Sequence, residues 1–163
     1  MSNEDVIKEG DPAPDFSLMD QDENTVSLVD LKGKWTVLYF YPKDNTSGCT
    51  AEAKDFTSML GDFESMGARI VGVSPDSCSS HANFIRKHDL KLQLISDPDH
   101  DALSGYDTWK LKKMYGREYH GVERSTFLID PDGIVRKIWR KVKVNGHADE
   151  VKSALSDLIG KDA

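Results

Sequence analysis

The chain has 163 residues, of which 38% are hydrophobic and 30% are charged, and its formal net charge at pH 7 is −7. This length and composition are typical of one soluble globular domain and exclude an intrinsically disordered protein. The negative net charge argues against nonspecific binding to nucleic acid. No stretch approaches the roughly 18 apolar residues of a membrane span, so we expect neither nucleic acid nor a membrane among its partners.

The first ten residues are polar and show neither the cationic nor the apolar segment of a secretory signal peptide. We predict a flexible N-terminal segment over residues 1–10 and a single domain over residues 11–163. Two cysteines are too few for the disulfide framework of a small secreted domain. We therefore expect a cytoplasmic, reducing location, in which a cysteine that matters is more often reactive than structural.

The apolar pattern predicts alternating strands and helices. In chain order, residues 16–18 and 25–28 alternate around a polar turn and predict a β-hairpin. Residues 35–41 are apolar almost throughout, as in a strand covered on both faces. From residue 50 the spacing becomes helical and predicts one helix that ends near Gly67. The remaining predicted elements are a strand over 68–73, a helix over 79–88, a strand over 92–95, a short helix over 101–109, two antiparallel strands over 125–129 and 134–139, and a terminal helix over 147–159.

This element order predicts an α/β fold with a mixed central sheet flanked by helices and an N-terminal β-hairpin. Because crossovers between parallel strands are right-handed, the strands that end near residues 41 and 74 should lie side by side. Functional residues of α/β proteins gather at that edge of the sheet. Cys49 follows the first strand and Cys78 the second, so we expect the two cysteines to be neighbours in space.

Cys49 is predicted to lie where a buried strand ends and a helix begins. A helix start presents unpaired N–H groups and a partial positive charge, which favour a thiolate. A cysteine hydrolase would need a histidine partner, and a dithiol oxidoreductase a second cysteine at position 52, which is Glu52. The spacing of cysteines and histidines also matches no zinc site. We expect each of the five histidines to be exposed or bonded locally: His81, His88, His100, His120 and His147.

Reduction of a peroxide fits the residues around Cys49 better. The reaction needs a thiolate and donors that stabilise charge on the departing oxygen, and it does not need a histidine. Thr46 supplies a hydroxyl that can bond the sulfur or a peroxide oxygen, and Gly48 leaves room for a substrate. The N–H groups of Gly48 and Cys49 can act as donors. A nearby arginine would favour the thiolate and polarise the peroxide.

The segment from Tyr39 to Glu52 contains the pattern Pro42-x-x-x-Thr46-x-x-Cys49. It resembles the active-site segment of peroxiredoxins and is most similar to the peroxiredoxin Q branch, also called bacterioferritin comigratory protein. The similarity continues through residues 72–77, 121–127 and 139–143 and extends over roughly residues 10–160, which is far more than one short motif.

The resemblance implies a thioredoxin-like fold and a peroxidatic role for Cys49. Thr46 would be the hydroxyl donor, and Pro42 would shape the loop and shield the sulfur. Arg124 would activate the thiol, and Glu52 would orient Arg124. The resemblance further implies hydrogen peroxide and organic hydroperoxides as substrates, thioredoxin or a similar thiol reductant as partner, a monomer, and no metal, haem or nucleotide cofactor. A non-enzymatic thiol redox sensor or binding protein on the same fold is the competing class.

The chain departs from this branch in how the oxidised cysteine is reduced again. Members usually carry a resolving cysteine at one of two positions, which here hold Lys54 and Ile85. Cys78 lies ~10 Å along the predicted helix from position 85. Since a disulfide needs Cα atoms within ~7 Å, bonding to Cys49 would require a helix start to unwind. Our hypothesis is that Cys78 resolves Cys49; the alternative is a one-cysteine enzyme reduced by an external thiol.

Overall fold

The computed structural model describes residues 7–162. Its elements are β1 (Ser17–Asp20), β2 (Thr25–Ser27), α1 (Leu28–Leu31), β3 (Trp35–Phe40), α2 (Ser47–Ser58), α3 (Leu60–Ser65), β4 (Ala68–Ser74), α4 (Cys78–His88), β5 (Gln93–Ser96), α5 (Asp101–Gly105), β6 (Trp109–Met114), β7 (Arg117–Val122), β8 (Ser125–Ile129), β9 (Val135–Trp139) and α6 (His147–Asp162). Seven strands form a mixed sheet in the order β2-β1-β5-β4-β3-β8-β9, and β6 pairs with β7 separately. The predicted α/β class and the N-terminal hairpin are confirmed. Among the described residues, no helix is long and apolar enough to cross a membrane.

The centre of the sheet positions the two segments that matter for function. β3 and β4 run parallel, with partners from Trp35 and Ala68 to Phe40 and Val73, as the crossover rule predicts. On its other side β3 pairs antiparallel with β8, where Phe40 lies opposite Ser125. The end of β3 and the beginning of β8 therefore meet at one edge of the sheet.

Two apolar cores cover the two faces of the sheet, because successive residues of a strand point to opposite sides. Leu38 and Phe40 belong to one core, and Tyr39 belongs to the other, which also contains Cys49. Gly72 in the neighbouring strand makes room for the Tyr39 ring, since a Cβ atom at Gly72 would lie 2.8 Å from Cζ of Tyr39. Cys49 is thus part of a tightly packed core.

The single helix predicted from residue 50 is two helices, α2 and α3, separated at Met59. Met59 has φ −100° and ψ 1°, and its carbonyl accepts hydrogen bonds from the N–H groups of Asp62 and Phe63. Phe56 and Phe63 are both buried, so the apolar stripe continues across the break. The spacing predicted which side chains face the core, but a break of one residue leaves that spacing unchanged.

The hairpin of β6 and β7 was not predicted. The helix expected over residues 101–109 ends at Gly105, and Trp109 begins β6. The turn at Tyr115 and Gly116 has φ of 52° and 75°, the left-handed values of a tight hairpin turn. Both faces of the hairpin are largely exposed, so the alternation that marks a half-buried strand is missing.

The N-terminal segment predicted to be flexible lies partly outside the described residues, which begin at Ile7. Ile7 is buried, the N–H of Gly10 donates to the carbonyl of Val135 at 2.7 Å, and the Glu9 carboxylate accepts from the N–H of Ile138 at 3.1 Å. Residues 7–10 thus contact the sheet, and the flexibility of the segment stays a prediction. They bond to β9, the edge strand of the sheet, whose free backbone groups need partners.

Candidate active site

Cys49 lies in the first turn of α2 and is only 1% exposed. The helix begins after Thr46, which has extended backbone angles of φ −81° and ψ 155°. N–H groups in a first helical turn have no partner within the helix and favour negative charge nearby. The structure therefore confirms that the thiol lies at a helix start, in a pocket from which water is largely excluded.

Arg124, the residue just before β8, reaches the thiol from across the sheet edge. Its Nη2 atom lies 3.2 Å from Sγ of Cys49, and Nη1 donates to Oε1 of Glu52 at 2.6 Å. Burial lowers the pKa of Arg124, but the carboxylate of Glu52 and the thiol of Cys49 raise it more, so the guanidinium stays charged. One side chain thus bridges two residues of α2 that lie 75 and 72 positions away in sequence.

Glu52 follows Cys49 by one turn of α2, and its side chain is 2% exposed. Burial raises the pKa of Glu52 to about 7, and the opposing attraction of Arg124 does not cancel this effect. Oε1 accepts from Arg124, whereas Oε2 is buried without a hydrogen-bond partner among the described residues. Glu52 therefore changes its charge near neutral pH while in direct contact with the arginine that touches the thiol.

Gly48 controls how closely the arginine can approach. A Cβ atom at this position would lie 3.3 Å from Nη2 of Arg124, closer than ordinary van der Waals contact. The sequence suggested that Gly48 leaves room for a substrate; in the structure this room is also used by the arginine.

Thr46 and Pro42 lie in the loop between β3 and α2. The Thr46 hydroxyl donates to the carbonyl of Lys43 at 2.9 Å, and the side chain is exposed. Since a hydroxyl has one proton and two lone pairs, Thr46 can still accept a hydrogen bond. Pro42 is half-buried at the start of the loop. The predicted contact of Thr46 with the sulfur is not made here, and its contact with a peroxide stays a prediction.

Asp44, which the sequence did not single out, is the buried centre of a polar network beneath this loop. Its Oδ1 atom accepts from the hydroxyl of Tyr41 at 2.7 Å. Its Oδ2 atom accepts from the hydroxyl of Ser80 and lies 2.8 Å from Nδ1 of His81, the same distance as from the Ser80 oxygen. The network joins the loop to α4.

The prediction that the histidines are exposed or bonded locally is wrong for two of them. His81 is fully buried, and its partners lie 37 and 14 residues away. His147 is 4% exposed and bonds Thr126, 21 residues away, at 2.8 Å. The sequence held only a weak indication that His81 is buried: it lies three residues before the apolar Phe84 and therefore on the same face of α4.

One group of side chains among residues 7–162 has donor atoms close enough to ligate a metal ion. Oxygen and nitrogen atoms of Asp44, Asp76 and His81 all lie within 4.8 Å of one another. These atoms already bond each other and their neighbours, since Oδ2 of Asp76 accepts from the hydroxyl of Ser74 and from the N–H of Asp44, both at 2.8 Å. The arrangement is that of a hydrogen-bonded network.

Cys78 is the first residue of α4, and both cysteines are free thiols. As predicted, α2 and α4 begin beyond the ends of adjacent parallel strands. The surroundings of the two thiols differ, because Cys49 is packed in the core and Cys78 is half-buried beside a cavity of about 360 Å³ that Ser17 and Met19 also line. A bond between them remains a prediction that requires movement of a helix start.

Comparisons with known proteins agree on one family. The sequence profile of the AhpC/TSA family matches residues 9–138. Peroxiredoxin Bcp of Bacillus subtilis (strain 168) is 50% identical over 156 residues, which are 96% of this chain and 99% of that protein. Peroxiredoxin Bcp of Xanthomonas campestris is 52% identical over 123 residues, which are 76% of this chain and 77% of that protein.

Solved structures show the same similarity. Peroxiredoxin Q of Xanthomonas campestris, in the form called Structure F4, has a TM-score of 0.88 and 44% identity and covers 95% of this chain and 99% of its own. The bacterioferritin comigratory protein of that organism, solved as trapped intermediate and ligand complexes to study its alkyl peroxide reduction activity, has a TM-score of 0.85 and 45% identity over 88% of this chain and 92% of its own.

The chain belongs to the AhpC/TSA family and, within it, to the peroxiredoxin Q branch. Its fold is the thioredoxin-like fold of peroxiredoxins, and the protein is a thiol peroxidase. The resemblance and the enzyme class predicted from the sequence are thereby confirmed, in preference to a non-enzymatic sensor or binding protein.

Proposed function

We propose that Cys49 is the peroxidatic cysteine and that its substrates are hydrogen peroxide and organic hydroperoxides. The observation that carries the proposal is the 3.2 Å contact between Sγ of Cys49 and Nη2 of Arg124 in a buried pocket. The thiolate attacks the terminal peroxide oxygen, a sulfur–oxygen bond forms, and the O–O bond breaks. Cys49 becomes a sulfenic acid, and the other oxygen takes a proton and leaves as water or an alcohol.

The neighbouring residues have separate roles in this step. Arg124 stabilises the thiolate and then the negative charge on the departing oxygen. The resemblance implies that the Thr46 hydroxyl is a donor; because it directs its proton to the carbonyl of Lys43, we propose that it instead accepts a hydrogen bond from the peroxide. Pro42 shapes the loop and shields the sulfur, and Glu52 fixes the orientation of Arg124 through the 2.6 Å contact.

Cys78 is the proposed resolving cysteine. Its thiolate attacks the sulfenic sulfur of Cys49, a disulfide forms, and the oxygen leaves as water. The support is that α2 and α4 begin at one edge of the sheet and that Lys54 and Ile85 occupy the positions where a resolving cysteine usually stands. A one-cysteine enzyme reduced by an external thiol is the alternative.

The cellular setting is inferred from the same chemistry. The oxidised enzyme needs a dithiol reductant, for which we propose thioredoxin or a similar protein, and such reductants operate in the reducing cytoplasm. A net charge of −7 supports the absence of nucleic acid from the reaction. We further propose, on the resemblance to the peroxiredoxin Q branch alone, that the enzyme acts as a monomer.

A pair of serine variants tests this proposal. The reduced Cys49→Ser protein should consume no peroxide, because a serine hydroxyl remains protonated where a thiol ionises. The matched Cys78→Ser protein should still consume the first equivalent of peroxide. Full peroxidase activity in Cys49→Ser would remove Cys49 from its assigned role.

A further inference from the structure

Asp44 is the point at which the active-site loop is attached to the body of the protein. It is 5% exposed, whereas the residues on both sides, Lys43 and Asn45, are exposed, as is Thr46. The backbone N–H of Asp44 donates to Oδ2 of Asp76 at 2.8 Å, and its carboxylate accepts three further hydrogen bonds. The position of the loop before Cys49 therefore depends on what holds this one carboxylate.

His81 holds the carboxylate with a fully buried ring. Nδ1 lies 2.8 Å from Oδ2 of Asp44, and Nε2 lies 3.0 Å from the backbone carbonyl of Ile95 in β5. A carbonyl oxygen and a carboxylate oxygen only accept hydrogen bonds, so each ring nitrogen must carry a proton. The geometry points to an imidazolium that donates in two directions.

The ionised state of Asp44 agrees with this assignment. Burial acts to raise the pKa of Asp44, but the hydrogen bonds and charge of His81, with bonds from Tyr41 and Ser80, hold it below its ordinary value. The Tyr41 hydroxyl also lies 3.4 Å from Nδ1 of His81, but it directs its proton to Asp44 at 2.7 Å. The pair is therefore a buried ion pair in which every charged atom has a partner, the condition under which such pairs are stable.

His81 connects three elements of the fold. Its ring, in α4, bonds the backbone carbonyl of Ile95 in β5 on one side and the Asp44 carboxylate on the other. Asp44 lies in the loop that leads into α2, five residues before Cys49. Removing the bond to β5 would leave His81 of α4 bonded to the loop, whereas removing the bond to Asp44 would break the ion pair and leave α4 only weaker bonds to the loop, such as that from the Ser80 hydroxyl. Loss of the Nδ1 bond should therefore disturb the loop before Cys49 more than loss of the Nε2 bond does.

We propose that His81 is a positioning residue for the peroxidatic reaction, which fixes the loop over residues 42–46 through its ion pair with Asp44. It acts through Asp44 on the placement of Thr46 and of the helix start at Cys49, and it touches neither the thiol nor the peroxide. This inference rests on the proposed peroxidatic role of Cys49.

Two substitutions at position 81 separate the two bonds. In His81→Asn the amide nitrogen occupies the place of Nδ1, so the bond to Asp44 is kept and the bond to Ile95 is lost. In His81→Gln the amide nitrogen occupies the place of Nε2, so the bond to Ile95 is kept and the bond to Asp44 is lost. Each variant loses the charge and one hydrogen bond, which makes each the control of the other.

The rate constant for oxidation of the reduced protein by hydrogen peroxide should fall about tenfold in His81→Gln, since misplacement of a reacting group by a fraction of an ångström has effects of this order. His81→Asn should remain closer to wild type. Hydrogen–deuterium exchange should become faster in the loop before Cys49 for His81→Gln, and in β5 for His81→Asn. A purely structural histidine would give equal losses of rate and the same exchange pattern in both variants.

Equal oxidation rate constants in His81→Gln and His81→Asn would overturn the proposal, whether or not these rate constants are lower than that of wild type. If His81→Gln does not fold, Asp44→Asn takes its place: its oxidation rate constant should fall about tenfold and hydrogen–deuterium exchange should become faster in the loop before Cys49. A wild-type rate constant in Asp44→Asn would also overturn the proposal. Nitrogen NMR of the wild-type protein should show two protonated ring nitrogens for His81. The proposed function has a separate test, because only peroxidase activity in the Cys49→Ser protein would contradict it.

Discussion

Nη2 of Arg124 lies 3.2 Å from Sγ of Cys49, although 75 residues separate them in sequence. The contact exists because β8 pairs with β3, which places the residue before β8 beside the loop after β3. A charged guanidinium in a pocket with little water interacts more strongly with a thiolate than the same group would at the surface. The contact is therefore the electrostatic centre of the active site.

Removal of the guanidinium should weaken the stabilisation both of the Cys49 thiolate and of the negative charge on the departing oxygen. In Arg124→Ala the rate constant with hydrogen peroxide should fall by about 100-fold, the usual cost of losing one donor to a developing negative charge. The pH range in which Cys49 reacts with iodoacetamide should move upward, because the thiolate loses its cation. Arg124→Lys should be intermediate, since it keeps the charge but not the two-pronged geometry. An unchanged alkylation profile in Arg124→Ala would contradict this role.

The titration of Glu52 should make stability depend on pH. Burial raises its pKa in the folded protein to about 7, from an ordinary value of 4.5. A raised pKa means that the protonated form stabilises the fold; this contribution is fully present below pH 4.5 and is lost as the pH rises through about 7. Glu52→Gln does not titrate, so its free energy of unfolding relative to wild type should increase over this range, by up to roughly 3 kcal/mol.

Urea unfolding of both reduced proteins at a series of pH values measures this difference directly. Titrating groups distant from Glu52 are common to wild type and variant and cancel in the comparison. A difference that is flat or decreases with rising pH would show that Glu52 is already ionised in the folded protein at acidic pH.

Gly48→Ala should separate activity from stability. The new methyl group would lie 3.3 Å from Nη2 of Arg124 and push the guanidinium away from the thiol, so the rate constant should fall about tenfold. Stability should be unchanged or higher, since alanine is favoured over glycine in a helix by about 1 kcal/mol. Gly61→Ala in α3, where a Cβ atom meets nothing within 4 Å, is the control and should keep full activity. Wild-type activity in Gly48→Ala would mean that Arg124 adapts without cost.

The intact mass of the protein shows whether Cys78 forms a disulfide with oxidised Cys49. After one equivalent of peroxide under non-reducing conditions, the protein should lose two hydrogens and retain no free thiol, as expected for an internal disulfide with Cys49. Cys78→Ser should instead gain one oxygen. A gain of oxygen in the wild-type protein, or a disulfide-linked dimer, would assign resolution to an external thiol or a second chain.

Local features of the site could be predicted from sequence because each depends on residues close together along the chain. The apolar run over 35–41 predicts a buried strand, and the pattern Pro42-x-x-x-Thr46-x-x-Cys49 places a thiol at the helix start that follows it. The same holds for the spacing of Cys49 and Glu52, one helical turn apart. The break at Met59 escaped prediction because it leaves the apolar spacing intact.

The sequence by itself determined most of the elements, though not the β6–β7 hairpin, and the peroxiredoxin resemblance, and it predicted that Cys49 is the reacting thiol. Only the tertiary structure decided which distant groups surround that thiol and what charge they carry. The contact of Arg124 with Cys49 depends on the pairing of β3 with β8, and the ion pair of His81 with Asp44 depends on the packing of α4 beneath the loop. The pKa of Glu52 depends on burial, and burial is a property of the folded chain that no short segment contains.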